Sequence, residues 1–308
     1  MLDKVIRILN FDNSITSQSG LLKSYPNQII DLSRFESHAR LYSSRAIRRE
    51  ISSIIPKTSN YPTFLGSGDF HHISEVLTSR IEEPFCLIVF DFHPDWEMVA
   101  PRFSCGSWVN QALKNKNILK CVIIGASSDD LSFPALQTAN FSALAGNRLE
   151  VYPYRHKLSR VFLRNLPQNK SISVKNKIIF KEIAWHEIER EDLTKFVLEL
   201  AKSLPVKKAY LSIDKDCLKK EFALTNWEQG LFDRQQLLSM LRVLRSQLDI
   251  IGLDICGDYS PVFIKNKVKA LISKIDHPGD FTAANLSQDS VTALNQETNL
   301  ALLGEIFS

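Results

Sequence analysis

The sequence predicts an α/β protein, a three-layer α/β/α sandwich built on a mainly parallel sheet. Three observations carry that expectation. Short apolar runs recur along the chain, each about as long as a strand buried on both faces. Segments with the spacing of amphipathic helices fall between them. Several of the runs end in carboxylates, imidazoles or glycine-rich turns, as strands do at the carboxyl edge of an open α/β sheet.

The runs, in order, are 5-VIRILNF-11, 62-PTFLG-66, 85-FCLIVFD-91, 120-KCVIIGA-126, 208-KAYLSID-214 and 249-DIIGLDI-255. Most are rich in β-branched residues, which suits pleated, buried backbone. In 190-REDLTKFVLELAKSLP-205 the apolar residues Leu193, Phe196, Val197, Leu200, Ala201 and Leu204 mark one helical face, and Pro205 stops it. The stretch 233-DRQQLLSMLRVLRSQ-247 repeats the pattern, with Asp233 placed as N-cap. A last helix is expected over about 287–307. Residues 127–175 carry no clear period and read as long loops over the sheet or as an insertion. With no repeat and no linker in view, 1–308 is expected to be one domain.

At 308 residues and 44% hydrophobic, the chain can bury a substantial core. Its formal charge of +4 is spread without a basic run, which argues against a nucleic-acid partner. The five cysteines include Cys86, Cys121 and Cys256 inside apolar runs and form no CxxC, so they read as reduced thiols of a cytoplasmic protein. Neither a signal peptide nor a membrane span is visible.

The chemistry gathers at four of the proposed strand ends. The loop 65-LGSGDFHHIS-74 offers Asp69, His71 and His72; 90-FDFHPDWE-97 offers Asp91, His93 and Asp95; 211-LSIDKDCL-218 offers Asp214 and Asp216; 252-GLDICGDYSP-261 offers Asp254 and Asp258. In extended chain, residues two apart point the same way, so each set can converge. Asp91, Asp95, Asp214 and Asp216 carry four negative charges, enough to balance two divalent cations, and without metal they would repel one another. Oxygen-rich ligation with one or two imidazoles favours a hard or borderline ion such as Mn2+. A pair of such ions makes hydroxide available near neutral pH.

GSGDFHH, DFHPD and SIDKD, in that order and followed by GLDICGDYSP, resemble the metal motifs of the ureohydrolase superfamily of arginases, agmatinases and formimidoylglutamases. The resemblance spans residues 62–262. It implies an arginase-like fold and two Mn2+ whose bridging hydroxide attacks a guanidinium or amidine carbon. Asp91 and Asp214 would bridge both ions. His71, with His72 as the fallback, and Asp95 would complete one ion, and His93 and Asp216 the other. A small-molecule or peptide-borne guanidine or amidine would be the substrate, and a homo-oligomer would be in keeping with the family.

Two departures bear on substrate. The family's guanidinium-gripping glutamate falls on Gly257, leaving Asp258, one residue on, as the candidate substrate contact. The proton-transfer histidine that arginases carry after DxHxD has no counterpart in 104-SCGSWVN-110. Trp96, Trp108 and Trp227 are candidates for a roomier pocket wall, though such residues are more often simply packing. His186 reads as a surface residue, 276-DHPGD-280 as a turn, Asp254 as a tie between strand end and loop, and Cys105 as no nucleophile. Alternatives that stay open are a metal-stabilised, non-catalytic binding protein of ureohydrolase descent and a mononuclear zinc, deacetylase-like amidohydrolase.

Overall fold

The structure, a computed structural model, describes all residues except 1, 58–59, 100, 165, 167, 268 and 272–286. The 276-DHPGD-280 segment therefore lies outside the described residues. Eight strands form one sheet: β1 (Ile6–Asn10), β2 (Asn27–Asp31), β3 (Thr63–Gly66), β4 (Phe85–Phe90), β5 (Ile118–Gly125), β6 (Leu149–Pro153), β10 (Lys208–Asp214) and β11 (Asp249–Cys256). Their order is β2-β1-β3-β11-β10-β4-β5-β6, and every neighbouring pair is parallel.

The unbroken apolar runs follow from covering both faces. Along β4, Phe85, Leu87 and Val89 enter one core, while Cys86, Ile88 and Phe90 enter the other. The second core is closed by the helices Leu193–Ser203 and Arg234–Gln247 and by the C-terminal helix Gln288–Phe307. Asp192 caps the first of these by accepting from the Thr194 and Lys195 amides, and Asp233 forms a capping box with Gln236 at the second.

Two parts of the sheet were not expected. β2 is an edge strand whose NQIID sequence is mostly exposed, so it carries no apolar run to read. The indistinct 127–175 region supplies β6. It also supplies β7 (Ser159–Phe162) and β8 (Ile172–Asn176), which flank β9 (Phe180–Trp185) in a separate antiparallel sheet of three strands. The long-loop reading does not describe it, since these residues form strands. Among the described residues, no helix is long and apolar enough to cross a membrane.

Candidate metal centre

Strands β3, β11, β10 and β4 lie side by side and parallel, so their carboxyl ends open at one edge of the sheet. After β3 the chain turns tightly at Gly66 (φ +84°), and a 3-10 turn over Gly68–Phe70, capped by Ser67, delivers His71. Arg40, fully buried, fixes this turn through a 2.7 Å ion pair with Asp69. Asp69 also accepts from Trp227 Nε1 at 3.0 Å, so it serves the loop's shape. After β4 come Asp91, His93 and Asp95, the last held at φ +46°, a conformation that non-glycine residues seldom adopt. After β10 a second 3-10 turn carries Asp216 back beside Asp214, whose Oδ1 accepts the Asp216 amide at 2.9 Å.

These segments meet at His71. Its Nδ1 lies 3.1 Å from Asp91 Oδ2, 3.2 Å from Asp95 Oδ2 and 3.6 Å from Asp214 Oδ2. On the other side of the ring, Nε2 lies 2.9 Å from Ser212 Oγ. Ser212 gives its one proton to Asp254 Oδ1 at 2.6 Å, which leaves its lone pair to accept from His71 Nε2–H. In the neutral tautomer, Nδ1 then presents a bare lone pair to three carboxylate oxygens. Either a proton or a metal must sit there.

A second cluster adjoins the first. His93 Nδ1 lies 2.8 Å from Asp216 Oδ2 and 3.8 Å from Asp91 Oδ1. The Phe92 and His93 amides donate to Asp216 Oδ1 and Asp91 Oδ1, at 3.0 and 2.7 Å, and hold both carboxylates in place. Two ligand groupings can therefore hold ions here: His71 with Asp91 and Asp95, and Asp91 with His93 and Asp216. A third grouping joins His71, Asp214 and Cys256, whose thiol lies 3.1 Å from Asp214 Oδ2.

The electrostatics show an excess of negative charge. Burial, reinforced by Asp216 and Asp95, pushes Asp91 well above the usual carboxylate range. Burial and Asp216 raise Asp214 to about 7. Burial opposes a charge on His71 and on His93, yet the acidic groups around each hold both well above 6.5. Even with protons on the imidazoles, the carboxylates remain under-compensated. Asp91 Oδ2, moreover, is buried, and when His71 Nδ1 carries no proton it receives no hydrogen bond. Such a donor set fits divalent cations bound through carboxylate oxygen and imidazole nitrogen.

The remaining expectations divide. His72 is buried beside His71 but joins none of these groupings; burial, with Lys269 and His71 adding, lowers its pKa to about 3. Asp258 is not brought to the cavity. Its Oδ1 is taken up by Lys215 at 2.8 Å, Gln18 at 2.7 Å and Asn299 at 3.1 Å. Asp254 ties strand to strand rather than strand to loop, since it accepts from Ser212 and Tyr210 of β10. Trp96 packs in the core against Trp185, whereas Trp227 does line the cavity. Trp108 is fully buried and donates to Asp95 Oδ2 at 2.7 Å. His186 is on the surface, paired with Glu191. The sequence reading passed over Ser212, Glu97 and Asp130, and it weighed Trp108 as a pocket wall or a packing residue, not as the partner of Asp95. Ser212 had a signal: it stands two residues before Asp214 on the same strand face, in register with Asp254.

The cavity above these groups has a volume of about 240 Å³ and is lined also by Tyr42, Glu97, Ser104, Cys105 and Asp130. Gly257 shows why nothing grips a substrate from its position. Its φ is +86°, and a Cβ there would lie 2.3 Å from Asp214 Oδ1 and 2.6 Å from the Lys215 amide.

Comparison with known proteins agrees with this architecture. The model of the arginase family matches residues 23–274. An "Uncharacterized protein" of Thermotoga maritima is 29% identical over 262 residues, covering 85% of this chain and 83% of its own. Among solved structures, formimidoylglutamase from Bacillus subtilis superposes with a TM-score of 0.58 at 12% identity, covering 98% of this chain and 86% of that one. Proclavaminate amidino hydrolase from Streptomyces clavuligerus gives 0.57 at 14%, covering 99% and 91%. Arginase from Bacillus subtilis gives 0.56 at 14%, covering 99% of both. At these identities the structural likeness establishes the fold, an arginase-like three-layer sandwich.

Proposed function

Because the chain belongs to the arginase family, we propose that it is a metal-dependent hydrolase of a non-peptide C–N bond, with a guanidine or amidine as substrate. His71, Asp91, Asp95 and Asp214 would hold one divalent ion, and His93, Asp91, Asp214 and Asp216 a second. Manganese is the first candidate for both. When bound, such a pair supplies Lewis acidity and a hydroxide nucleophile near neutral pH. The observation that carries the reading is the His71 Nδ1 atom, turned by Ser212 toward the oxygens of Asp91, Asp95 and Asp214.

The chain's own groups would work as follows. Ser212 and Asp254 keep His71 in the tautomer a ligand needs, and Trp108 holds the Asp95 carboxylate at its reach. In the reaction, the oxygen of water joins the amidine carbon, the C–N bond breaks, and the departing nitrogen takes up a proton. The empty Gly257 position motivates a second reading, a metal-stabilised binding protein without turnover.

Purified protein loaded with Mn2+ should contain about two ions per chain by elemental analysis, and an Asp214→Ala/Asp216→Ala variant should lose them. A panel of guanidines, ureas and amidines, followed by release of urea, ammonia or formamide, should contain a substrate. Full metal content in the double variant rules out the ligand set. Bound metal with silence across the panel selects the binding-protein reading.

A further inference from the structure

Although no basic run stands out, the formal charge of +4 is unevenly placed. Residues 155–181 carry eight lysines and arginines and neither aspartate nor glutamate. The 30 basic and 34 acidic residues elsewhere leave the rest of the chain at −4. The basic stretch runs through the three-stranded sheet β7-β9-β8. Its Arg155, Lys157, Arg160, Arg164, Lys170, Lys175 and Lys177 are all exposed. Three carboxylates from outside the stretch reach it: Glu189 pairs with Arg155, Asp129 with Lys157 and Glu182 with Lys177. Set against those three, the eight cations leave an excess of positive charge.

At one end of this sheet the cations surround exposed hydrocarbon. Ile178 and Ile179 form the turn between β8 and β9, and Leu163 follows β7. Leu163 and Ile178 are almost wholly exposed, and Ile179 is 71% exposed. Strands β7 and β9 pair Phe162 with Phe180, which sets the two tips side by side. Phe162 also meets the exposed Phe133, with ring centroids 5.1 Å apart. Arg160 lies over the Phe180 ring, while Lys175 and Lys177 stand just before the isoleucines. Single exposed aliphatic residues are commonplace, but a contiguous group of them marks a contact surface.

A second copy of the chain would bring like charge against like charge on this face. A nucleic acid would meet the cations, yet it gains little from aliphatic side chains, and Phe162 and Phe180, which could stack on bases, are half-buried. An anionic bilayer matches both features. Its headgroups attract lysine and arginine, and the boundary beneath them takes up apolar side chains.

We propose that the tip of the β7-β9-β8 sheet docks on an anionic lipid surface. Leu163, Ile178 and Ile179 enter the headgroup boundary, and Arg160, Lys175 and Lys177 contact the headgroups. The chain lies on the membrane through this tip, since no described helix is long and apolar enough to cross it.

Flotation of the full chain with vesicles tests this. Vesicles of equal parts phosphatidylcholine and phosphatidylglycerol should carry the protein, pure phosphatidylcholine vesicles should not, and added salt should weaken the binding. Lys175→Gln and Lys177→Gln should each weaken it about fivefold, in line with about 1 kcal/mol for a basic residue at such a surface. Ile178→Ser/Ile179→Ser should weaken it by about tenfold or more with charge unchanged. These positions are exposed, so the variants should melt with the parent chain. No binding to the anionic vesicles overturns the proposal. Binding that the isoleucine variant leaves unchanged also overturns it, and equal retention of duplex DNA by that variant and the parent would then mark a general polyanion surface. A dimer that the isoleucine variant dissociates, seen by sedimentation without vesicles, overturns it in favour of self-association.

Discussion

Asp95 shows how much support one candidate ligand needs. Its backbone sits at φ +46°, a conformation that costs an ordinary residue on the order of 1 kcal/mol or more, and the surrounding contacts must hold it there. Trp108 supplies one of them, giving its indole N–H to Asp95 Oδ2 while its ring lies 4.7 Å from that of His71. The shape of Trp108 belongs to the core, but its nitrogen belongs to the site. Trp108→Phe should therefore keep most of the packing and lose the hydrogen bond to a charged group, a stability loss of about 1.5–3 kcal/mol. The same change should weaken divalent-ion binding by about 10–100-fold, the usual cost of losing a partner that orients a ligand. Titration of the metal-free variant with Mn2+ measures this directly. Unchanged affinity in a folded variant would reduce Trp108 to a packing residue.

Between elements, the site is tied to the far end of the chain through a buried ion pair. Lys215, lodged between Asp214 and Asp216 and fully buried, meets Asp258 beyond β11. Asp258 in turn accepts from Gln18 near the N-terminus and from Asn299 of the C-terminal helix. Asp258→Ala leaves the Lys215 ammonium buried without its counter-ion, so the expected loss is about 3–5 kcal/mol by denaturant unfolding. Asp258→Asn, which keeps the hydrogen-bonding shape, should show how much of that loss is charge. This contact also marks the limit of what the sequence reveals. The strands β3, β4, β10 and β11 were legible because burial on both faces forces unbroken apolar runs, and the order of DFHPD and SIDKD places their carboxylates at one edge. The partner of Asp258 was not legible, because nothing in the spacing says that the lysine between the two aspartates of SIDKD turns inward. β2 and the β7-β9-β8 sheet escaped for a related reason. Strands with one exposed face or a polar edge leave no run to read, and pairing across the chain makes them strands.

Over the whole molecule, the fold brings four strand ends together before anything neutralises their carboxylates, and that sets how stability depends on pH. Asp214 is the group to follow, raised from 3.8 to about 7 by burial and by Asp216. A folded-state pKa above the unfolded one means that the native state binds the extra proton between those two values. The stability this proton contributes is complete below about pH 4, declines as pH rises, and is gone above about pH 7. Metal-free protein should accordingly melt at a lower temperature at pH 8 than at pH 5, and Asp214→Asn should flatten that slope. Divalent ions replace the proton, so their effect should run the other way. At 100 times its dissociation constant, one bound ion adds about 2.7 kcal/mol, and at about 2–4 °C per kcal/mol for a chain of this order of size the melting point should rise by about 5–10 °C. The rise should be larger at pH 8, where the ion meets bare carboxylates, than at pH 5, where it must displace protons. Thermal scans with Mn2+ and with a chelator at the two pH values measure all of this. Equal melting points with and without metal at pH 8 would mean that the strand ends hold no ion, and the mutual repulsion of their carboxylates would then need another remedy.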